Sequence, residues 1–470
     1  MSAELVVIGG GPGGYAAAFH AADHGMNVTL IDMEKNPGGV CLYRGCIPSK
    51  ALLHIAKLIN EAEEAEHWGV KFGKPEIDID KLRAFKNKVV NNLTGGLGTL
   101  SKQRKITYIQ GRAEFISSDK LKIALNAGGT QELQFKNAII AVGSEITTFP
   151  VFQVDSPRLL NSTSALDLPE IPESMLVIGG GYIGLELGSV YEALGTKVSV
   201  VEATPTLLPG ADRDLVNFLA KKVNAKFEEV MLSSKVVKLD PLADGINVHI
   251  ETPGGEVKVK KYSYVLLSIG RRPNAKGIGL ENTKVTVNQR GFIEVDPQRR
   301  TKDPGIFAIG DIAGDPMLAH KASAEAKVAV EAIKGSRNIF APMAIPAVVF
   351  TDPEIAWAGI TETEAKEKNI PHEVAKFPWA ASGRAQTLDR NDGVTKIIVD
   401  PKTERILGVG LCGPGAGEMI AEAVLAIEMG ATVRDLALTI HPHPTLSETI
   451  MEAAESFFGH ATHIYRPKKK

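Results

Sequence analysis

Two cysteines five positions apart, Cys41 and Cys46 in GGVCLYRGCIPSK, are the most chemically capable residues of this chain. Such a pair can form a structural bridge, half of a metal site, or a dithiol that opens and closes in turnover. Only one further cysteine is present, Cys412, so the pair is no part of a general disulfide framework. Five residues of regular helix rise about 7.5 Å, whereas a disulfide needs Cα atoms about 4.4–6.8 Å apart. A bond between them therefore requires a broken helical turn, which Gly45 and Pro48 permit. No second cysteine pair or suitably spaced Cys/His motif lies nearby to complete a zinc site, so no metal is expected. The scarcity of cysteine fits a reducing, cytoplasmic compartment, where such a pair is more often catalytic than structural. Cys412, among the small residues of GVGLCGPGAG, reads as a buried thiol.

The elements that could position chemistry are announced by a duplication. LVVIGGGPGGYAAAFHAADHGMNVTLID (5–32) is echoed by MLVIGGGYIGLELGSVYEALGTKVSVVE (175–202). Each copy reads as an apolar strand, a glycine turn, a helix and a second apolar strand ending in an acid. Gly9 to Asp32 and Gly179 to Glu202 are both 23 residues. The first glycine of each copy (Gly9, Gly179) makes a tight turn, and the second (Gly11, Gly181) admits a pyrophosphate to the backbone. The third (Gly14, Gly184) lets helix and strand pack closely. Free N–H groups at the helix start hold the anion, and the terminal acid takes ribose hydroxyls. Two dinucleotides are therefore expected. Glu202 is followed by ATPTLL, with no base there to receive a 2′-phosphate, so the second copy should prefer NAD to NADP.

At 470 residues the chain needs several domains. Its 44% apolar and 23% charged residues with a net charge of −2 argue for a soluble globular protein. They argue against nucleic-acid or membrane partners. Residues 5–22 lack charge, but five glycines and Pro12 interrupt them, so no spanning segment is read there. The terminal RPKKK reads as a solvated tail.

Taken together, VIGGGPGGYAAA, GGVCLYRGCIPSK, AVGS, VIGGGYIGLELGSV, SIGRRPN, FAIGD, LAHKASAE, IPAVVFTDPE and HPHPTLSE resemble, in order, the flavin-dependent pyridine nucleotide–disulfide oxidoreductases. The resemblance implies an α/β fold with two Rossmann-like dinucleotide-binding domains, a central domain and a C-terminal α+β dimerisation domain. The expected boundaries are 1–146 for FAD and the redox disulfide, 147–275 for NAD, 276–343 for a central domain completing the FAD site, and 344–470 for the interface. It further implies a homodimer that reoxidises dihydrolipoamide carried on a protein partner, with hydride transfer to NAD.

Residue by residue, the resemblance makes Cys41 the thiol that exchanges with substrate and Cys46 the thiol facing the flavin. Lys50 matches a lysine beside the flavin and Glu186 its acidic partner. His443 matches a catalytic base and Glu448 its orienting carboxylate, with the histidine serving the disulfide of the opposite subunit. Asp311, Ala319, Gly143 and Ala113 match flavin contacts, and Val236 and Gly270 contacts on the NAD side; Tyr182 reads either as a cover for the turn or as a gate on the nicotinamide side. His441 is expected to shape the loop before His443, and His320 to pack beside the flavin. One departure stands between the cysteines, where Tyr43 and Arg44 replace the family's usual Asn and small apolar residue. Arg44 is expected to lower a neighbouring thiol pKa.

Overall fold

A computed structural model describes residues 2–465; the basic tail read above as solvated lies outside them. The first repeat forms β1 (Ser2–Ile8), α1 (Pro12–Asp23) and β2 (Val28–Asp32). The unbroken apolar run of β1 is buried along Leu5–Ile8, as a parallel strand covered on both faces requires. It pairs in parallel with β2 on one side and with the strand Thr130–Ile140 on the other. Strand order thus reverses at β1, which opens a crevice at its carboxyl end. Gly9 sits there at φ +100°, and a Cβ on it would lie 2.4 Å from the Ala141 carbonyl oxygen. At Gly14 a Cβ would lie 1.7 Å from the Gly9 oxygen, so only glycine lets α1 approach its strand.

An antiparallel excursion, Thr107–Ser117, Lys120–Leu125 and Thr130–Ile140, extends this six-stranded sheet. The strand Ile306–Ala308 joins it beside Thr130–Ile140. The segment expected as a central domain thus contributes a strand to the first sheet, and its helix Ala319–Ile333 packs on α1 in one apolar cluster.

The second repeat builds a five-stranded parallel sheet on the same plan, with Ser174–Ile178 flanked by Lys197–Val201 and Tyr264–Leu267. Gly179 repeats the φ of Gly9 at +108°, and a Cβ on Gly184 would lie 2.3 Å from the Gly179 oxygen. A three-stranded antiparallel sheet, 235–262, is inserted before the last of these strands. The C-terminal region is a five-stranded antiparallel sheet against the helices Ala416–Glu428, Val433–Leu438 and Glu448–Phe457. One apolar cluster runs from Leu52 and Ala56 through Val177 and Leu185 to Val349 and Cys412, joining the three regions. Cys412 is fully buried, as its surroundings suggested. Among the described residues no helix is long and apolar enough to cross a membrane.

Candidate active site

The broken turn required between the cysteines is present. Cys41 lies on α2 (Gly39–Arg44) and Cys46 opens α3 (Cys46–Glu64), with Gly45 between them. A Cβ at Gly45 would come within 2.9 Å of the Val40 oxygen, so the residue must be bare for the helices to meet. The thiols are free and hydrogen-bonded to each other. Their acidities diverge. The Cys46 thiol is pushed down to about 7, first by the hydrogen bond from Cys41 and, against burial, by the Lys50 ammonium. The Cys41 thiol is pushed up by that same hydrogen bond and by burial. The start of a 19-residue helix further favours a thiolate at Cys46.

Lys50, one turn along α3, gives its ammonium to Glu186 at 2.7 Å and stands 4.5 Å over the Phe350 ring. The other Glu186 oxygen accepts the Phe350 N–H at 2.9 Å, and the carboxylate is buried. The fingerprint helix of the second repeat thereby holds the lysine of the first. Exchanging Lys50 for Met should raise the midpoint of Cys46 alkylation in the reduced protein by roughly one pH unit, since the opposing charge is lost. Glu186→Gln should move it the other way, because Glu186 raises the Cys46 pKa. A pH profile of iodoacetamide labelling reads both.

Two cavities meet at this point. One, of about 380 Å³, is lined by Gly9, Gly11, Asp32, Cys41, Cys46, Lys50, Gly143, Asp311 and Ala319. The other, of about 920 Å³, is lined by Gly179, Gly181, Glu202, Val236 and Gly270. Tyr182 and Arg271 line both. The two acids do the same work in each copy: Asp32 accepts the N–H groups of Gly10 (2.5 Å) and Glu34 (2.8 Å), and Glu202 those of Gly180 (2.6 Å) and Thr204 (2.7 Å). Gly14 and Gly184 lie behind the cavity walls as packing positions. Ala113 stands apart from the lining, buried in a strand opposite Ile123.

The base and its carboxylate are paired but distant from the thiols in sequence and site. His443 Nδ1 and Glu448 Oε1 are 2.9 Å apart, and Glu448 Oε2 accepts the Thr445 N–H at 2.7 Å. Burial works against the Glu448 charge, but these two bonds hold the carboxyl below its usual range. The His443 side chain is 73% exposed and lines neither cavity. His441 is locked at both ring nitrogens, to Glu422 and the Thr439 carbonyl, and so shapes the loop. His320 bonds the Pro346 carbonyl at 2.8 Å.

The expectation for Arg44 is corrected. Its guanidinium pairs with Glu34 and partly offsets the burial that raises the Asp32 pKa, while the cation acting on the thiols is Lys50. Tyr43 ties its hydroxyl to the Asn36 backbone, so both residues brace the loop after β2. The sequence reading missed Arg271 and Ser144. Arg271 donates to the Ser144 hydroxyl and carbonyl, and that hydroxyl donates to Asp311 at 2.5 Å. It also missed Lys235, which lines the larger cavity beside Val236.

Two switch-point crevices, a dithiol between them and a histidine–carboxylate dyad define a pyridine-nucleotide disulfide oxidoreductase. Residues 3–326 match the pyridine nucleotide-disulphide oxidoreductase family and residues 345–454 match its dimerisation domain; the chain belongs to this family. It is 47% identical over 470 residues to the dihydrolipoyl dehydrogenase of Vibrio parahaemolyticus, covering all of this chain and 98% of that protein. To the dihydrolipoyl dehydrogenase of Geobacillus stearothermophilus it is 45% identical over 464 residues, 99% of this chain and 98% of the other. Among solved structures, LpdA of Mycobacterium tuberculosis superposes with a TM-score of 0.89 at 27% identity, covering 96% of this chain and 99% of that one. FAD and NAD are the cofactors of this chain, as its family membership gives. The residues present fit them: bare glycines face each crevice, and the buried Arg44 Nε, without a protein partner, borders the smaller one beside Asp32.

Proposed function

We propose that this protein reoxidises dihydrolipoyl groups carried on a partner protein, as a homodimer in the cytoplasm, and delivers the electrons to NAD. The observation that carries the reading is the cysteine pair on the wall of the smaller cavity with Lys50 beside it; the split acidity of the two thiols supports the part proposed for each. His443 Nε2, facing outward while Nδ1 is held by Glu448, takes the proton of a substrate thiol. The substrate thiolate attacks Cys41 of the oxidised pair, the Cys41–Cys46 bond breaks, and Cys46 leaves as a thiolate. A leaving thiol of low pKa departs faster, which suits Cys46 at about 7. His443 then hands that proton to Cys41 and takes the one from the second substrate thiol, whose sulfur bonds the first substrate sulfur and displaces Cys41 as the neutral thiol its raised pKa favours. Bound FAD would carry the electron pair from the dithiol to the nicotinamide. Gly9, Gly11, Asp32, Gly143, Asp311 and Ala319 would hold the flavin, and Gly179, Gly181, Glu202, Val236 and Gly270 the NAD.

The homodimer rests on the dimerisation-domain match and on exposed apolar side chains, Leu425, Met429, Leu438 and Ile440, on the region that carries His443. NADH formation from dihydrolipoamide by the purified flavoprotein tests the activity; its absence would refute it. Glu202 sets a further expectation. kcat/KM with NAD should exceed that with NADP by at least about 100-fold, the worth of roughly 2.7 kcal/mol. A preference for NADP would overturn the role given to Glu202.

A further inference from the structure

At the far end of α1 from the flavin cavity lies a cluster the redox chemistry does not use. His20 and His24 stand one turn apart, and Glu331 reaches them from the helix Ala319–Ile333. His20 Nε2 is 3.1 Å and His24 Nε2 3.2 Å from the same oxygen, Glu331 Oε1. The three ligand atoms all lie within 4.8 Å of one another. Metal bonds of about 2.0–2.1 Å place tetrahedral ligands about 3.3 Å apart, so the two histidine–carboxylate separations already have the right size. Two histidines at i and i+4 present their rings to one side of a helix, a spacing used for zinc.

The surroundings favour a cation. The two helices run parallel: Ser323 near the start of one bonds the Pro12 carbonyl at the start of α1, while Glu331 meets His20 near both ends. Both helix dipoles therefore point their negative ends at the cluster. Its side chains are 27–34% exposed, open enough for an ion to enter and a water to complete the shell. A cation already leans on the site, since Lys334 Nζ lies 2.8 Å from His24 Nδ1.

We propose that His20, His24 and Glu331 form a binding site for a divalent ion of the zinc class, clamping α1 to the helix Ala319–Ile333. The ion takes the Nε2 lone pairs of both histidines and a Glu331 oxygen. On both rings the proton that faces Glu331 at Nε2 moves to Nδ1, and the Lys334 ammonium, now against His24 Nδ1, swings into solvent. Lys334 is thus a built-in competitor. The clamp bears on the flavin site because the N-terminal ends of the same two helices, Pro12 and Ala319, line its cavity.

The test uses chelator-treated holoenzyme with FAD bound and the Cys41–Cys46 disulfide closed, so that the thiols do not compete. Titration with Co²⁺ should give one ion per chain, with d–d bands to the red of the flavin absorption that Zn²⁺ abolishes. His20→Gln, His24→Gln and Glu331→Gln should each weaken Co²⁺ binding by at least about tenfold. Lys334→Met, an exchange at an exposed position, should tighten it. Absence of stoichiometric binding up to millimolar Co²⁺ would overturn the proposal. So would binding that survives His24→Gln, or that is lost instead with His443→Gln.

Discussion

Cys46→Ser should cut dihydrolipoamide-linked NADH formation by at least about 10³-fold, because residues that act as one unit fail together. Serine can neither close the bond to Cys41 nor leave as an anion near pH 7, where the Cys46 thiolate is available. Electron flow from NADH to ferricyanide, which does not need the thiols, should persist in the variant and would show that the protein is folded and loaded. Cys46 lines the cavity and belongs to none of the apolar clusters, so the loss should be chemical. Lipoamide-linked turnover left intact in Cys46→Ser would remove the thiol relay altogether.

The second large effect belongs to His443. Its replacement by Gln should lower kcat/KM for dihydrolipoamide by about 10²–10⁴-fold, the range for a positioned general base. Glu448→Gln should cost less, because it keeps the shape of the pair but loses the charge facing Nδ1. Since His443 lines neither cavity of its own chain, the reading makes a specific demand on the dimer. Cys46→Ser and His443→Gln homodimers, each inactive, should regain activity when unfolded and refolded together. A mixed dimer has one site carrying both defects and one carrying none, so random pairing should restore about a quarter of the wild-type rate. No recovery in mixtures that demonstrably exchange subunits would place His443 with the thiols of its own chain.

The parts of this protein that were legible from sequence are those written in local spacing. The fingerprints were readable because a strand, a glycine turn and a helix are set by contiguous residues. Gly9 and Gly179 adopt the positive φ that their positions demand. The broken turn at Gly45 followed from helix rise set against the span of a Cys41–Cys46 bond, and the burial of Cys412 from its small apolar neighbours. Arg44 shows the limit. Its place between two cysteines suggested that it acts on them, but a helical residue points where its face points, and this one meets Glu34 and Asp32 across the loop after β2.

What sequence alone determined was the set of chemical groups and two copies of a nucleotide-binding frame, because both depend on residue type at short range. Only the tertiary structure decided how those groups act on one another. It set Lys50 against Glu186 across 136 positions, linked Arg271 to Asp311 through Ser144, and left His443 outside the cavity holding its thiols. It also split one cysteine pair into a reluctant thiol and a ready thiolate. That division depends on hydrogen bonds, burial and charge, which exist only once distant segments have packed together.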